Sequence, residues 1–235
     1  MQCAGKGGAI CIEDAVISVN GDKNSKFTKC HAKKGGGAIF IDMADDLDPY
    51  CNNGDRYGIY DLRFIGNYTG ETGNFSSAKN NDKIGHGGAV YCGGFRYFIS
   101  GCVFQSNLAA GDGGGIFTSH EANIMDCSFV DDMAVGFGYD IYFGTGTLSN
   151  ITVQNTKEAF EDDLIYSTEG EEERPVKIYI RDGNAIVENV SFADSVVGSA
   201  VAEGRVVFVV VGAAIAAAVI AVLFIARKKK KTNKA

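Results

Sequence analysis

Ahead of Arg205 the apolar residues come in short runs that alternate with polar positions, and the runs return at a fixed beat. Tyr97-Phe98-Ile99, Cys102-Val103-Phe104 and Gly115-Ile116-Phe117 are of this kind. Each is strand-sized and rich in aromatic or β-branched residues. No stretch before residue 205 places apolar residues at helical spacing over a useful length. The clearest repeat opens at Phe104, turns at Gly113 nine residues later and closes on Ile116-Phe117. Phe129, Gly138 and Ile141-Tyr142 repeat it 25 residues on, and Phe27, Gly36 and Ile39-Phe40 form an earlier copy. One turn cluster and two short apolar runs per period mark a solenoid. A leucine-rich repeat would need Leu-Asn consensus positions, and a propeller blade about 40 residues. The pattern predicts an all-β chain, a right-handed parallel β-helix with three short strands per turn.

That fold assigns roles to the repeated residues. The opening Phe and closing Ile point inward and stack on their counterparts one coil away, about 4.8 Å apart. The paired glycines serve a tight corner. The Asn of Phe-x-x-Asn, at Asn67 and Asn107, sits at the following corner and bonds the backbone or its neighbour in the next coil. Cys102 and Cys127 share one place in adjacent coils. They are either a disulfide or a stacked pair of buried thiols.

The beat is interrupted. Gly7-Gly8-Ala9-Ile10 starts in the middle of a repeat, and residues 1–20 hold no apolar run of signal-peptide length. The expectation is the C-terminal part of a longer protein. An acidic insertion runs from Asp42 to Asp55, and a polar one of 14 extra residues lies within 68–86. A charged loop occupies 161–177. Insertions of a solenoid usually gather on one face, which makes 42–59, 68–86 and 161–177 the candidate contact regions. Val153 replaces the opening aromatic of a worn sixth unit, which Ile165-Tyr166 are expected to close, and Phe192 holds the aromatic place of the last.

Composition agrees with tightly turned β-structure: 31 Gly and 2 Pro in 235 residues, 25 Tyr and Phe, and no Trp. Charge is divided. All 29 acidic residues precede Arg205, whereas seven of the 22 basic ones lie from Arg205 onward, so the first 204 residues carry −14. An acidic body excludes a nucleic-acid partner, which needs a basic face. The seven cysteines contain no C-x-x-C pair, and His31, His86 and His120 have no metal-ligand spacing, so no metal or small-molecule cofactor is expected.

Val206 to Ala226 is 21 residues without a charge, enough to cross a bilayer as one helix, and Arg227 to Lys231 come at once after it. The chain therefore divides into a β-helix ectodomain (1–204), a transmembrane helix (205–226) and a basic cytoplasmic tail (227–235). This single-pass topology puts the body outside. Four sequons agree with that side: Asn67, Asn74, Asn150 and Asn189 are the candidate N-glycosylation sites.

The pairing of Gly-Gly-Ala-Ile (Gly7 to Ile10, Gly36 to Ile39, Gly87 to Val90) with Phe-x-x-Asn (Phe64 to Asn67, Phe104 to Asn107) resembles the repeat of the chlamydial polymorphic outer-membrane protein family. The resemblance covers about residues 5–145 and implies a surface-exposed β-helix with adhesin-like roles. Members of that family end in an outer-membrane β-barrel. This chain ends in one apolar segment and a lysine tail, and is similar there to protist surface proteins carrying the same repeat. The expected function is a cell-surface binding or display module without catalysis, its ligands on host cells or in extracellular matrix. The alternative is a tethered polysaccharide-acting enzyme, since parallel β-helices host lyases and glycosidases working with carboxylates. The acids in one regular coil are Glu121, Asp126, Asp131 and Asp132. The preceding coil offers Ser106 and Asn107 at the places of the last two, so no stacked acid pair is predicted.

Overall fold

The computed structural model describes residues 5–15, 17–22, 24–42, 57–70, 85–94, 97–154, 165–167, 177–181, 185–192, 195–197 and 210–211. The first coil comprises β1 (Ile10–Glu13), β2 (Val19–Asn20), β3 (Lys26–Thr28) and β4 (His31–Ala32). The second repeats it with β5 (Ile39–Asp42), β6 (Gly58–Tyr60), β7 (Arg63–Ile65) and β8 (Tyr68–Thr69). The third has β9 (Val90–Cys92), β10 (Tyr97–Ser100), β11 (Val103–Gln105) and β12 (Leu108–Ala109). The fourth has β13 (Ile116–Thr118), β14 (Glu121–Met125), β15 (Ser128–Val130) and β16 (Met133–Ala134). In the fifth, β17 (Ile141–Phe143) leads into one long strand, β18 (Thr145–Gln154). Beyond it lie β19 (Ile165–Ser167), β20 (Ile178–Ile180), β21 (Ile186–Phe192), β22 (Ser195–Val197) and β23 (Val210–Val211).

Like strands of successive coils pair in parallel to form three sheets. The first runs β1-β5-β9-β13-β17-β20-β19, and the third β4-β8-β12-β16. The second sheet takes two strands from each of the first four coils, joined in the second to fourth at a left-handed kink, and a single strand from β18 or β21. Among the described residues, antiparallel pairing enters only with β22, against β21 and β23. The all-β, parallel-stranded stack agrees with the solenoid expected from the sequence, with four short strands in each of the first four coils where three were expected.

The expected columns form. Phe27, Phe64, Phe104 and Phe129 lie in register, their rings stacked at 5.4, 4.9 and 4.8 Å with interplanar angles of 10° or less. Val153 and then Phe192 continue the column. On the first sheet, Ile39, Val90, Ile116, Ile141 and Ile178 form an inward column with no solvent exposure.

The paired glycines hold the coils at this spacing by two different means. Gly36 takes a left-handed φ of 59°. Gly37 lies so near the next coil that a Cβ would overlap the carbonyl oxygen of Gly88 and the backbone of Tyr68. Two other corners use left-handed residues, most of which carry side chains. One column is Lys29, Gly66, Ser106 and Asp131, and the other is Asp61, Gly101, Asp126, Asn150 and Asn189.

Three expectations are corrected or limited. Ile165-Tyr166 do not close the worn unit against Ile141-Tyr142. Ile178-Tyr179 take that place, and Ile165 pairs with the far side of Ile178. The inward places beside Ile141 and Phe143 thereby receive Ile178 and Ile180, both fully buried. β19 would have put Ser167 where Ile180 lies, burying a hydroxyl in place of a hydrocarbon chain. The insertions lie outside the described residues; residues 43–56 are flanked by strands of the first and second sheets, and 71–84 by strands of the third and the first. Of the apolar span 206–226 only β23 is described; the rest, with the basic tail, lies outside the described residues. Among the described residues no helix is long and apolar enough to cross a membrane.

Candidate binding site

The residue that ends or succeeds each strand of the first sheet makes a column on its outer rim: Glu13, Asp42, Gly93, Ser119, Gly144 and Arg181. Its two glycines let longer side chains cross coils. A Cβ on Gly93 would overlap the Asp42 carboxylate, and one on Gly144 would press into the backbone of Ser119 and His120. Arg181 reaches over the fifth coil, its Nη2 donating to the Ser119 carbonyl at 2.9 Å. Ser119 Oγ lies 2.9 Å from His120 Nδ1. At the near end Lys6 pairs with Glu13 at 2.6 Å, and its ammonium stands 4.6 Å from the centre of the Phe40 ring.

Burial pushes the Asp42 carboxyl up, with Lys6 opposing and Glu13 reinforcing the shift. Burial, then the Asp42 charge, pushes the Tyr91 phenol up. A carboxyl, a phenol, a hydroxyl, an imidazole and a guanidinium thus meet on one rim, a set of donors and acceptors suited to a polar ligand. Sequence reasoning missed this cluster because its members come from different coils. The available signal was a glycine directly after a strand run, at Gly93 and Gly144.

Beside the rim runs an outward column of Phe40, Tyr91, Phe117, Tyr142 and Tyr179, with successive ring centres 4.6 to 5.0 Å apart. His86 and Phe137 lie against it from above. Ring stacking on a sugar needs a free aromatic face, and within this column neighbouring rings occupy the faces. The column welds coils together and offers edges only.

The remaining sites expected from the sequence are scattered over the helix. Asn67 is fully buried; its Nδ2 donates to Asn107 Oδ1 at 2.9 Å and to the Phe27 carbonyl at 3.2 Å. In the folded coil the Nδ2 that a glycan would occupy is therefore buried and already donates two hydrogen bonds. Asn150 and Asn189 stand on the exposed left-handed corner. Asn189 Nδ2 donates to Asn150 Oδ1 at 2.7 Å, and Asn150 Nδ2 to Asp126 Oδ1 at 2.8 Å. Asn74 lies outside the described residues.

Cys102 and Cys127 are adjacent, buried and in thiol form, Cys102 Sγ donating to the Ser100 carbonyl at 3.4 Å. Cys127 Sγ also donates to the Met125 carbonyl at 3.1 Å, and burial pushes its thiol up. The acids considered for an enzyme do not converge. Asp126 and Asp131 occupy two different corners, Asp132 is interior and Glu121 lies on the second sheet. Among the described residues no group of three or more His, Cys, Asp or Glu is placed to hold a metal ion.

The architecture is that of a parallel β-helix assembled from repeats of about 25 residues. Residues 101–119 match the family model of the Chlamydia polymorphic membrane protein (Chlamydia_PMP) repeat. The matched stretch runs from the left-handed corner at Gly101 through β11, β12 and the glycine corner to β13 and Ser119, and the chain carries that repeat. No curated protein and no solved structure matches the chain.

Proposed function

We propose that this chain is a membrane-anchored, cell-surface β-helix that displays a binding rim and performs no chemistry of its own. The observation that carries the reading is the match of residues 101–119 to a membrane-protein repeat, within a stack of coils of the same design. The 21-residue apolar span and the lysine cluster after it supply the anchor, with residues 1–204 outside and 227–235 in the cytoplasm. Such a stalk acts as an adhesin, and its ligand sits on a host cell or in extracellular matrix. The contact region is the rim of Asp42, Tyr91, Ser119, His120 and Arg181, from which the 43–56 insertion departs.

The test is surface biotinylation of intact cells expressing the full chain with a C-terminal tag, followed by binding of those cells to host-cell and matrix preparations. The reading expects a labelled body, and adhesion that falls when Asp42 and Arg181 are both replaced by Ala. A body protected from label would place it in the cytosol and overturn the topology. Adhesion indifferent to the double substitution would remove the rim from the contact. The tethered polysaccharide-acting enzyme has one observation in its favour, the 2.9 Å Ser119–His120 contact beside Asp42. Depolymerisation of acidic polysaccharide, abolished by Ser119→Ala, would favour it.

A further inference from the structure

Charge is not spread evenly along the stack. Residues 1–34 hold six Lys against Glu13, Asp14 and Asp22, a net of +3. Residues 35–204 hold nine basic and 26 acidic residues, a net of −17. Four of the six lysines, Lys26, Lys29, Lys33 and Lys34, lie on one wall of the first coil, around the corner from β3 to β4, and all four are exposed. Lys26 opens β3, where the alternation that turns Phe27 inward against Phe64 turns Lys26 outward. It pairs in register with Arg63 of the second coil, also exposed, about 4.8 Å away. Lys29 takes the left-handed corner at a φ of 55°, its stem beside Gly66 of the next coil. Lys34 is fixed by its backbone, its N–H donating to the Gly5 carbonyl and its carbonyl accepting the Gly85 N–H, both at 2.8 Å.

Later coils do not continue the charge. Val103 and Ser128 follow Lys26 and Arg63 along the sheet, and the Lys29 column ends on Asp131. The acids of the first coil are placed elsewhere. Glu13 pairs with Lys6 at 2.6 Å on the rim, and Asp14 follows β1 on the first sheet. Asp22 Oδ1 accepts the N–H groups of Asn24 and Ser25 at 2.9 and 2.8 Å within its own turn. Charges that only solvate a surface are interspersed in sign. A cluster of one sign in a body of the other creates a local field that draws in an anion and orients it.

We infer that this wall binds a sulfated polysaccharide, whose anionic groups recur along the polymer and engage Lys26, Lys29, Lys33 and Arg63 together. The inference names a ligand class for the proposed adhesion and rests on that reading only for the body lying outside. The wall is separate from the rim, which lies on the first sheet. The protein's own bilayer is the poorer partner, because five strand spacings from β1 to β20, roughly 24 Å, separate the first coil from the part of the stack that leads to residues 206–226. A single-stranded nucleic acid would need free aromatic faces for its bases, and the Tyr68 ring on this wall is covered by the His31 ring at 4.3 Å.

Binding of the full chain, in neutral detergent at pH 7, to immobilised heparin tests it. Arg227 to Lys231 and Lys234 of the tail are replaced by Gln in every protein compared, so that only the body is read. A lysine at a polyanionic surface is worth about fivefold, so Lys26→Ala, Lys29→Ala and Lys33→Ala together should weaken binding roughly 100-fold and flatten its decline with salt. Arginine at the same three positions should preserve binding, and the rim variant with Asp42→Ala and Arg181→Ala should bind heparin as before. Unchanged binding by the triple alanine variant would overturn the inference. So would tighter binding to phosphatidylserine vesicles or to DNA than to heparin, which would make the partner a membrane or a nucleic acid. The purified protein separates this outcome from the topology. A surface-labelled body that ignores heparin would overturn the ligand class alone, whereas lysine-dependent heparin binding by a body protected from label would uphold the site and overturn only its placement outside.

Discussion

Replacing Asn107 by Ala tests whether the coils are held by an interior ladder or by apolar packing alone. The side chain makes four bonds. Its Oδ1 accepts the Asn67 N–H and Asn67 Nδ2, and its Nδ2 donates to Asp132 Oδ1 and the Phe64 carbonyl. Truncation leaves the Asn67 backbone N–H and one of its side-chain N–H groups without their acceptor, in a corner where Asn67 itself has no exposure. A buried group left unsatisfied costs about 1–3 kcal/mol, and two such groups put the loss at about 2–6 kcal/mol.

The outer corner supplies the control. Asn150 also bonds its neighbours above and below, at 2.7 and 2.8 Å, but is exposed, and its φ of 52° suits glycine. Water takes over the bonds of an exposed amide, so Asn150→Gly should cost about 0–1 kcal/mol. Urea unfolding of the full chain in detergent, followed by circular dichroism, measures both, provided that the urea dependence stays the same. If Asn107→Ala lowered stability by no more than Asn150→Gly, the interior ladder would contribute nothing beyond its exposed counterpart, and the account of the corner would be wrong.

The same geometry sets three further outcomes. Gly88→Ala should destabilise by about 3–5 kcal/mol: its Cβ would overlap the Gly114 carbonyl and meet the Leu108 backbone, straining two inter-coil hydrogen bonds, whereas Gly66→Ala meets only the flexible end of Lys29 and should cost about 1–2 kcal/mol through its φ alone. In cells that glycosylate the body, Asn67→Gln should leave the glycosidase-sensitive mobility shift unchanged, and a smaller shift would place Asn67 outside the ladder. Native alkylation followed by mass spectrometry should label Cys11 and Cys30 well before Cys92, Cys102 and Cys127, which are buried; a Cys102–Cys127 crosslink recovered without reduction would show instead that this pair is oxidised in the mature protein.

How far the sequence could be read depended on whether one residue type recurs along a column. Phe27, Phe64, Phe104 and Phe129 announce their column because each coil fills the same inward place with the same ring. The asparagine ladder was legible for the same reason, although its last member is Asp132. Recurrence fails where two segments offer the same letters. Ile165-Tyr166 and Ile178-Tyr179 are equivalent as text, and the choice falls on the third residue, since Ile180 and not Ser167 must lie beside Phe143. Tyr139 had already loosened the rule by replacing the second glycine of the corner, so no Gly-Gly pair remained to set the register of the later coils. The rim was the least legible part. Asp42, Tyr91, Ser119, His120 and Arg181 share no motif, and only the stacking of coils of unequal length brings them together. In a solenoid the columns that build the shaft must repeat, because each coil rests on the last. A rim that binds a ligand is under no such constraint, so its residues differ from coil to coil and emerge only when the coils are stacked.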